Sequence, residues 1–249
     1  MSEINWRKYT TPGAILGILF STLVIVGLGL FSLQVGKYVW QMASGAPNPF
    51  AKTQAELNLS NALARGSLDK TRSARIESAV SNPMLGNPDA SLRLVEFLDY
   101  ECSSSKQALS EVRAFMTHHP DDVLLILRDY PLENDHPNAL NAALAARCVF
   151  NQGQADRFWA YHDLLFKNQT QLSLFDLRRY AEQVGADLSA YDICLRLRQT
   201  ESVVRQSLAD GAAIGVLGTP TFFFNSFRIP GALDLAAFES VYQKIQAGI

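Results

Sequence analysis

The stretch 92–105, LRLVEFLDYECSSS, joins a buried strand to the start of a helix. Its first seven residues, Leu92–Leu98, are mostly apolar and rich in branched side chains, which is typical of a strand covered on both faces. From Ser103 to His118, apolar residues recur at the spacing of one helix face. Cys102 therefore stands where the strand has ended and the helix begins.

The pattern on the C-terminal side of this stretch predicts an α/β domain. Val123–Leu127 is a second apolar strand, so strand, helix and strand form a βαβ unit with parallel pairing. The residues from about 136 to 215 are helical in pattern throughout. Three elements close the chain: the short strands Thr221–Phe224 and Phe227–Ile229 and the amphipathic helix Phe238–Ile245. The predicted order is βαβ, a helical insertion, then ββα.

Seven short motifs follow one another in that frame. They are Val95–Phe97 (VEF), Cys102–Ser105 (CSSS), Arg128–Leu132 (RDYPL), His136–Ala139 (HPNA), Phe158–Asp163 (FWAYHD), Gly218–Phe223 (GTPTFF) and Ile229–Ala232 (IPGA). In this order they resemble the thioredoxin-like family of DsbA-type thiol–disulfide oxidoreductases, from about Asn87 to the C-terminus. The resemblance implies a thioredoxin-like fold with a helical insertion and protein or peptide thiols and disulfides as partners.

Cys102 is the predicted nucleophile. A cysteine at the first turn of a helix lies at the positive end of the helix dipole, where the thiolate is favoured. Thiolate is the species that attacks a disulfide. Ser103 and Ser104 add hydroxyl and backbone N–H groups near the sulfur, and we predict that they help to bind the substrate.

Ser105 is the departure from the family pattern. The resemblance implies a second cysteine at this position in members that oxidise substrates, and a serine cannot form that disulfide. A mixed disulfide on Cys102 must then wait for an external thiol, for which glutathione and a second client cysteine are the candidates.

Two further site predictions come from the resemblance. Glu96 stands where the family has a partly buried acid that accepts or relays a proton; the alternative is an ordinary strand residue with a polar partner. Thr219 and Pro220 match the cis-proline loop, whose backbone pairs with substrate peptide.

Cys148 and Cys194 both fall inside the predicted helical insertion. In the family, cysteines at such places bridge two insertion helices, and a disulfide between them would close a loop of about 45 residues, contributing ~3–4 kcal/mol. Two buried thiols, or pairing of either cysteine with Cys102, are the alternatives.

The N-terminal segment predicts a membrane anchor. No charged residue occurs from Tyr9 to Gly36, and about 20 apolar residues span a bilayer. Arg7 and Lys8 before the span, against Lys37 after it, place the N-terminus in the cytoplasm. The predicted divisions are a cytoplasmic N-terminus (1–13), a transmembrane helix (14–35), a partly helical linker (36–88) and the DsbA-like domain (89–249). A cleaved signal peptide is the alternative for the first two.

Other classes of function find no support in the sequence. The formal net charge is -2 and no basic stripe is present, so a nucleic-acid partner is not expected. The four histidines lack partners at ligand spacing, and no phosphate loop or cofactor motif occurs, so neither a metal nor a cofactor is predicted. Within 50–80, a flexible tether and a docking or dimerisation helix are both open.

Two hypotheses follow from these observations. The first is a membrane-tethered, extracytoplasmic thiol–disulfide exchange protein, reductase-like, isomerase-like or deglutathionylating, that works through Cys102 alone. The alternative is a non-catalytic peptide-binding chaperone or assembly factor that keeps the fold and has lost turnover. In a diderm bacterium either protein would sit in the inner membrane with its domain in the periplasm.

Overall fold

The structure is a computed structural model and describes residues 12–43, 68, 70–77 and 82–248. The chain divides into two compact units, Met1–Thr53 and Gln54–Ile249. Most of the predicted cytoplasmic N-terminus (1–13) and most of the candidate docking helix within 50–80 lie outside the described residues.

The first unit contains the helix α1, Pro12–Ala43. Within it, Leu19–Lys37 is a 19-residue span with a mean hydropathy of 1.9, long and apolar enough to cross a membrane. None of this span is buried by other parts of the protein, unlike the core helix of a soluble domain. A signal sequence near an N-terminus also meets these criteria of length and apolar composition.

The second unit is built around a five-stranded sheet flanked by helices. Its elements are α2 (Lys70–Ile76), β1 (Met84–Gly86), β2 (Leu92–Leu98), α3 (Ser103–His118), β3 (Val123–Asp129), α4 (Ala139–Phe150), α5 (Ala155–Lys167), α6 (Leu174–Gln183), α7 (Leu188–Arg196), α8 (Glu201–Ala213), β4 (Thr221–Phe224), β5 (Phe227–Pro230) and α9 (Leu235–Gln246). The predicted order, βαβ followed by a helical insertion and ββα, is confirmed.

The sheet has the strand order β1-β3-β2-β4-β5, which places β2 at its centre. β2 pairs parallel to β3, with Leu94 opposite Leu125, and antiparallel to β4, with Phe97 opposite Thr221. The residues that follow the end of β2 therefore lie beside those that precede β4. This pairing brings the Cys102 region and the Thr219–Pro220 loop together.

The prediction that the linker runs to residue 88 is wrong, because β1 belongs to the sheet. It pairs antiparallel with β3 at the sheet edge. Gly86 at its end has a φ of +101°, and a Cβ there would lie 2.3 Å from the Val123 carbonyl oxygen. A strand of three residues is too short to show an alternating pattern in the sequence.

α2 is also attached to the domain. Ile76 is fully buried, and the Arg128 guanidinium donates to the carbonyls of Arg75 and Ile76 at 3.4 and 3.2 Å. These bonds satisfy carbonyls at the C-terminal end of the helix. Arg128 in turn pairs with Asp210 of α8 at 2.7 Å, both side chains being almost fully buried. The motif arginine thus fixes the chain that enters the domain.

An ion pair joins the helical insertion to the sheet, and a disulfide joins two of its own helices. Arg147 of α4 pairs with Asp129 at the end of β3, with 2.6 Å between Nε and Oδ2. Cys148 of α4 and Cys194 of α7 form a disulfide. Cys102 is the free cysteine, so the sequence alternatives of two unpaired insertion thiols, or of a bond to Cys102, do not hold in this structure.

Candidate functional site

Cys102 occupies the N-cap position of α3, directly after the loop that leaves β2. Its backbone N–H donates to the Asp99 carbonyl at 3.2 Å, and its own carbonyl accepts the first helical bond from the Lys106 N–H at 3.1 Å. The side chain is 9% exposed. Cys102 therefore has the helix-start placement predicted from the sequence and offers only a small part of its surface to solvent.

The Thr219–Pro220 loop lies against this thiol. The Cys102 Sγ donates to the Thr219 carbonyl oxygen over 3.2 Å, and the Thr219–Pro220 peptide bond is cis. Two segments separated by more than a hundred residues meet here because β2 and β4 are neighbours in the sheet. The structure thus brings Cys102, Thr219 and Pro220 together.

The three serines after Cys102 differ in their surroundings. Ser103 is exposed and Ser104 half-buried, whereas Ser105 is fully buried. The Ser105 Oγ accepts a long bond of 3.5 Å from the Asp99 N–H. The position at which the family carries its second cysteine thus holds a small side chain with one weak polar contact.

Glu96 is a buried acid on the central strand. Burial raises its pKa to about 8, with a smaller opposing effect of the Arg113 charge. No hydrogen bond joins its carboxyl group to another described residue. At neutral pH the group is mostly protonated and can still lose its proton within a modest pH range.

His162 and Tyr100 form a buried pair that the sequence did not reveal. His162 is buried on α5, with its Nδ1 3.1 Å from the Tyr100 hydroxyl oxygen. Burial lowers the pKa of His162 to about 3, and the Arg113 charge lowers it further, so the ring is neutral. The spacing of four residues between Phe158, His162 and Phe166 is a sequence signal that His162 is buried, because residues four apart share a helix face. It does not show that Tyr100 is its partner.

Two carboxylates in the loop before Cys102 bind the segment that follows β3. The Asp99 Oδ2 accepts from the Leu132 N–H and lies 2.8 Å from the His136 Nδ1. The Glu101 carboxylate accepts from the Asn138 backbone N–H at 2.7 Å and from its side-chain amide at 3.0 Å. These acids have structural partners, and within the described residues no group of three His, Cys, Asp or Glu side chains could hold a metal.

The start of the cis-proline loop is held on two sides. The Tyr130 hydroxyl donates to the Val216 carbonyl at 2.7 Å, and the Arg228 guanidinium donates to the Gly215 and Ile214 carbonyls. Between these contacts and Pro220, Leu217 is 92% exposed. A cleft of about 250 Å³ lies beside this loop. The loop is thus fixed at its base and presents an apolar side chain to solvent.

Tyr130→Phe is expected to lower the free energy of unfolding by about 1–2 kcal/mol, because it leaves the buried Val216 carbonyl without its donor. Urea denaturation monitored by circular dichroism measures the change. Tyr242→Phe is the control, because its hydroxyl bonds to Asp122 at the surface, and about 0.5 kcal/mol or less is expected. Equal losses in the two variants would contradict a special role of the Tyr130 bond.

Comparison with known proteins gives one family and many structural relatives. A family model described as Thioredoxin matches residues 78–244. The curated relatives include the Na(+)/H(+) antiporters NhaA 1 of Mycobacterium sp. (strain KMS), 35% identical over 165 residues, and of Mycolicibacterium gilvum (strain PYR-GCK), 38% identical over 168 residues. Each alignment covers 66% of this chain and 26% of the relative. The chain therefore spans about a quarter of the length of the curated relatives that it matches.

Three solved structures illustrate the likeness in fold. A thioredoxin-like oxidoreductase from Silicibacter pomeroyi DSS-3 is 24% identical, with a TM-score of 0.63 over 71% of this chain and 98% of the other. A periplasmic thioredoxin-like protein from Salmonella enterica serovar Typhimurium is 22% identical, with a TM-score of 0.60 over 73% and 99%. The thiol-disulfide exchange protein alpha-DsbA2 from Wolbachia pipientis is 19% identical, with a TM-score of 0.63 over 78% and 98%. These likenesses confirm the predicted thioredoxin-like α/β fold.

Proposed function

This chain belongs to the thioredoxin family, and we propose that it is a membrane-tethered, extracytoplasmic thiol–disulfide exchange protein that acts through Cys102 alone. The observation that carries the proposal is the free Cys102 thiol at the start of α3, 3.2 Å from the Thr219 carbonyl. A thiol in this place can be deprotonated at the positive end of the helix and reached by a substrate that lies along the loop.

The reaction needs two exchanges. In the first, the Cys102 thiolate attacks one sulfur of a client disulfide; a new S–S bond forms, the client S–S bond breaks, and the second client sulfur leaves as a thiolate that takes up a proton. In the second, an external thiolate attacks the mixed disulfide and releases Cys102. When that thiolate is another client cysteine, the net result is isomerisation. When it is glutathione, its attack on the client sulfur frees Cys102 and leaves the client with one thiol and one glutathione mixed disulfide, which a second glutathione reduces to a thiol while glutathione disulfide forms.

Ser105 and the Cys148–Cys194 bond are the reasons for proposing an external thiol. Ser105 cannot resolve the mixed disulfide, and the other two cysteines are engaged with each other. A glutathione mixed disulfide on a client is a substrate that this arrangement suits, because one thiol suffices to remove it. The proposal therefore includes deglutathionylation.

Glu96 and the loop around Thr219 would assist Cys102. A buried carboxyl with a pKa of about 8 can accept the proton of the thiol and return it to a leaving thiolate. The backbone of Thr219 would pair with the client chain, and the exposed Ser103 and half-buried Ser104 would contact it at the helix start. Backbone pairing of this kind gives affinity with little sequence preference.

The location is proposed from α1 and from the charges around it. The apolar span Leu19–Lys37 is long enough for a single-pass anchor. The basic residues that precede it favour a cytoplasmic N-terminus, which places the domain outside the cytoplasm. Disulfide exchange and a structural disulfide both suit an oxidising compartment such as the periplasm.

Trapping in cells tests the proposal. Cells that express the full chain are quenched with acid and N-ethylmaleimide, and membrane extracts are run without reductant. We expect the parent chain to carry mixed disulfides with client proteins and Cys102→Ala to carry none. Ser110→Ala, an exposed serine on the same helix, should trap as the parent does. Absence of Cys102-dependent adducts would refute the exchange function.

The second candidate function is a peptide-binding module that has lost turnover, and the serine at position 105 favours it. A binding module would use the cis-proline loop and the exposed Leu217 to hold a client without reacting with it. In that case Cys102→Ala would retain its clients in a non-covalent pull-down from membranes, and the parent chain would form no mixed disulfides. The same pair of proteins thus separates the two candidates.

A further inference from the structure

The backbone around Cys102 is held by a side chain of the helical insertion. Gln169 lies in the turn after α5, and its Nε2 donates to the Tyr100 carbonyl at 3.0 Å and to the Cys102 carbonyl at 2.8 Å. Gln169 is half-buried. One amide nitrogen thus uses both of its hydrogens on the loop that carries the thiol.

α5 contacts the same loop through the Tyr100 side chain. The Tyr100 hydroxyl lies 3.1 Å from the His162 Nδ1, and its ring packs against Phe166 with 5.1 Å between the ring centroids. The loop is therefore held to the insertion both by its backbone and by a buried aromatic ring. Movement of the α5 end would be transmitted directly to Cys102.

The Cys102 carbonyl is a particular target for a donor. It already accepts the Lys106 N–H that starts α3, and the Gln169 amide is its second donor. Each donor offsets the negative end of a carbonyl dipole next to the reacting sulfur. In a site where the sulfur has little contact with water, such partial charges are weakly screened and influence the thiolate strongly.

We propose that Gln169 is a positioning residue that keeps Cys102 reactive by donating to the Tyr100 and Cys102 carbonyls. The inference rests on the proposed role of Cys102 as the nucleophile. Glutamine suits the task because it supplies two N–H groups from one nitrogen without a net charge. A carboxylate of the same size would lose both donors and place a negative charge close to the sulfur, which opposes the thiolate.

Alkylation of the purified full chain in detergent tests the proposal. The rate of Cys102 labelling by iodoacetamide is measured from pH 5 to 10 for the parent, Gln169→Glu, Gln169→Leu and the control Gln171→Glu. Gln171 is exposed two residues further on, so it adds the same charge to the same turn without a side-chain contact to the loop. Circular dichroism and the urea midpoint show that each variant is folded.

We expect Gln169→Glu to move the midpoint of the rate profile up by about one pH unit, which slows labelling about tenfold at pH values below both midpoints. Gln169→Leu, which removes the donors without adding charge, should slow it about threefold, and Gln171→Glu should stay within about twofold of the parent. The other titratable groups around the loop, Glu96 on β2, Asp99 and Glu101 in the loop, His136 after β3 and His162 on α5, are the same in all four proteins.

Two results would overturn the inference. One is an equal shift in Gln169→Glu and Gln171→Glu, which would make the effect one of general charge. The other is a lower plateau rate with an unchanged midpoint, which would mean that Gln169 only affects access to the sulfur. If the parent thiol itself is unreactive across the pH range, the proposed function fails first and the inference falls with it.

Discussion

Ser105→Cys is expected to release a client bound to Cys102 without an external thiol, because the new thiol attacks the mixed disulfide and leaves an intramolecular disulfide with Cys102. Residues three apart at the start of a helix lie on one face with Cβ atoms ~5–6 Å apart, a separation that small backbone adjustments convert into disulfide geometry. Ser105 is fully buried, and among the described residues its hydroxyl has a single hydrogen bond, the 3.5 Å one from the Asp99 N–H. A cysteine there replaces one small side chain by another and breaks no strong bond.

The expected gain in the rate of release is large because the resolving thiol becomes part of the same molecule. Neighbouring groups reach effective concentrations of about 1 mM or more, against about 10 µM of added thiol, so release of a mixed disulfide should be at least ~100-fold faster. The measurement is the release of a fluorescent peptide from its disulfide with Cys102, followed at 10 µM glutathione. The parent rate should rise with the glutathione concentration, and the variant rate should not.

Ser104→Cys is the matched control for this experiment. It adds the same thiol one residue earlier, but residues two apart do not face each other on a helix, so it should leave release dependent on glutathione. If Ser105→Cys also stays dependent on glutathione, the absence of a second cysteine is not what limits the parent chain. The non-catalytic alternative would then gain, because the site would have lost more than one residue of its machinery.

The strands β2 and β4 and the helix α3 could be predicted because the spacing of their apolar residues indicates which side chains are buried. Leu92–Leu98 and Thr221–Phe224 are apolar runs with strand-like composition, and the structure has both with these bounds. The strand β1, and the attachment of the predicted linker helix α2 to the domain, could not be found in this way. The former has three residues, and the latter is fixed by Arg128 and Ile76, contacts that depend on where distant elements lie.

The residues of the site likewise fall into those that local motifs predict and those that only tertiary packing reveals. Cys102 and Thr219–Pro220 belong to motifs whose spacing is visible in the sequence, and the strand order then places them together. Gln169 and His162 carry no local signal of their contacts with the Cys102 loop, because those contacts arise only when the helical insertion packs beside it. Motifs identify the reacting groups, whereas tertiary packing determines which side chains orient them.

Glu96→Gln is expected to become more stabilising relative to the parent as the pH rises from 5 to 8. Burial raises the Glu96 pKa from its usual 4.5 to about 8 in the folded protein. Between these values the folded chain holds a proton that the unfolded chain has released, so the stability of the parent falls as the pH rises. One pH unit of such a difference is worth ~1.4 kcal/mol, and the interval from pH 5 to 8 therefore amounts to ~4 kcal/mol. Glutamine is neutral throughout and has no such slope.

The difference in unfolding free energy between Glu96→Gln and the parent, measured in urea at pH 5, 6.5 and 8, isolates this group, because every other titration is common to both proteins. Glu182→Gln, on the exposed face of α6, makes the same chemical change at the surface and is the matched control. A flat difference for Glu96 would mean that its carboxylate is stabilised in the folded state, and Arg113 is a candidate for that role because its charge lowers the Glu96 pKa. Glu96 would then have a low pKa and be a weak acceptor of the Cys102 proton, which would contradict the proton-relay role proposed for it.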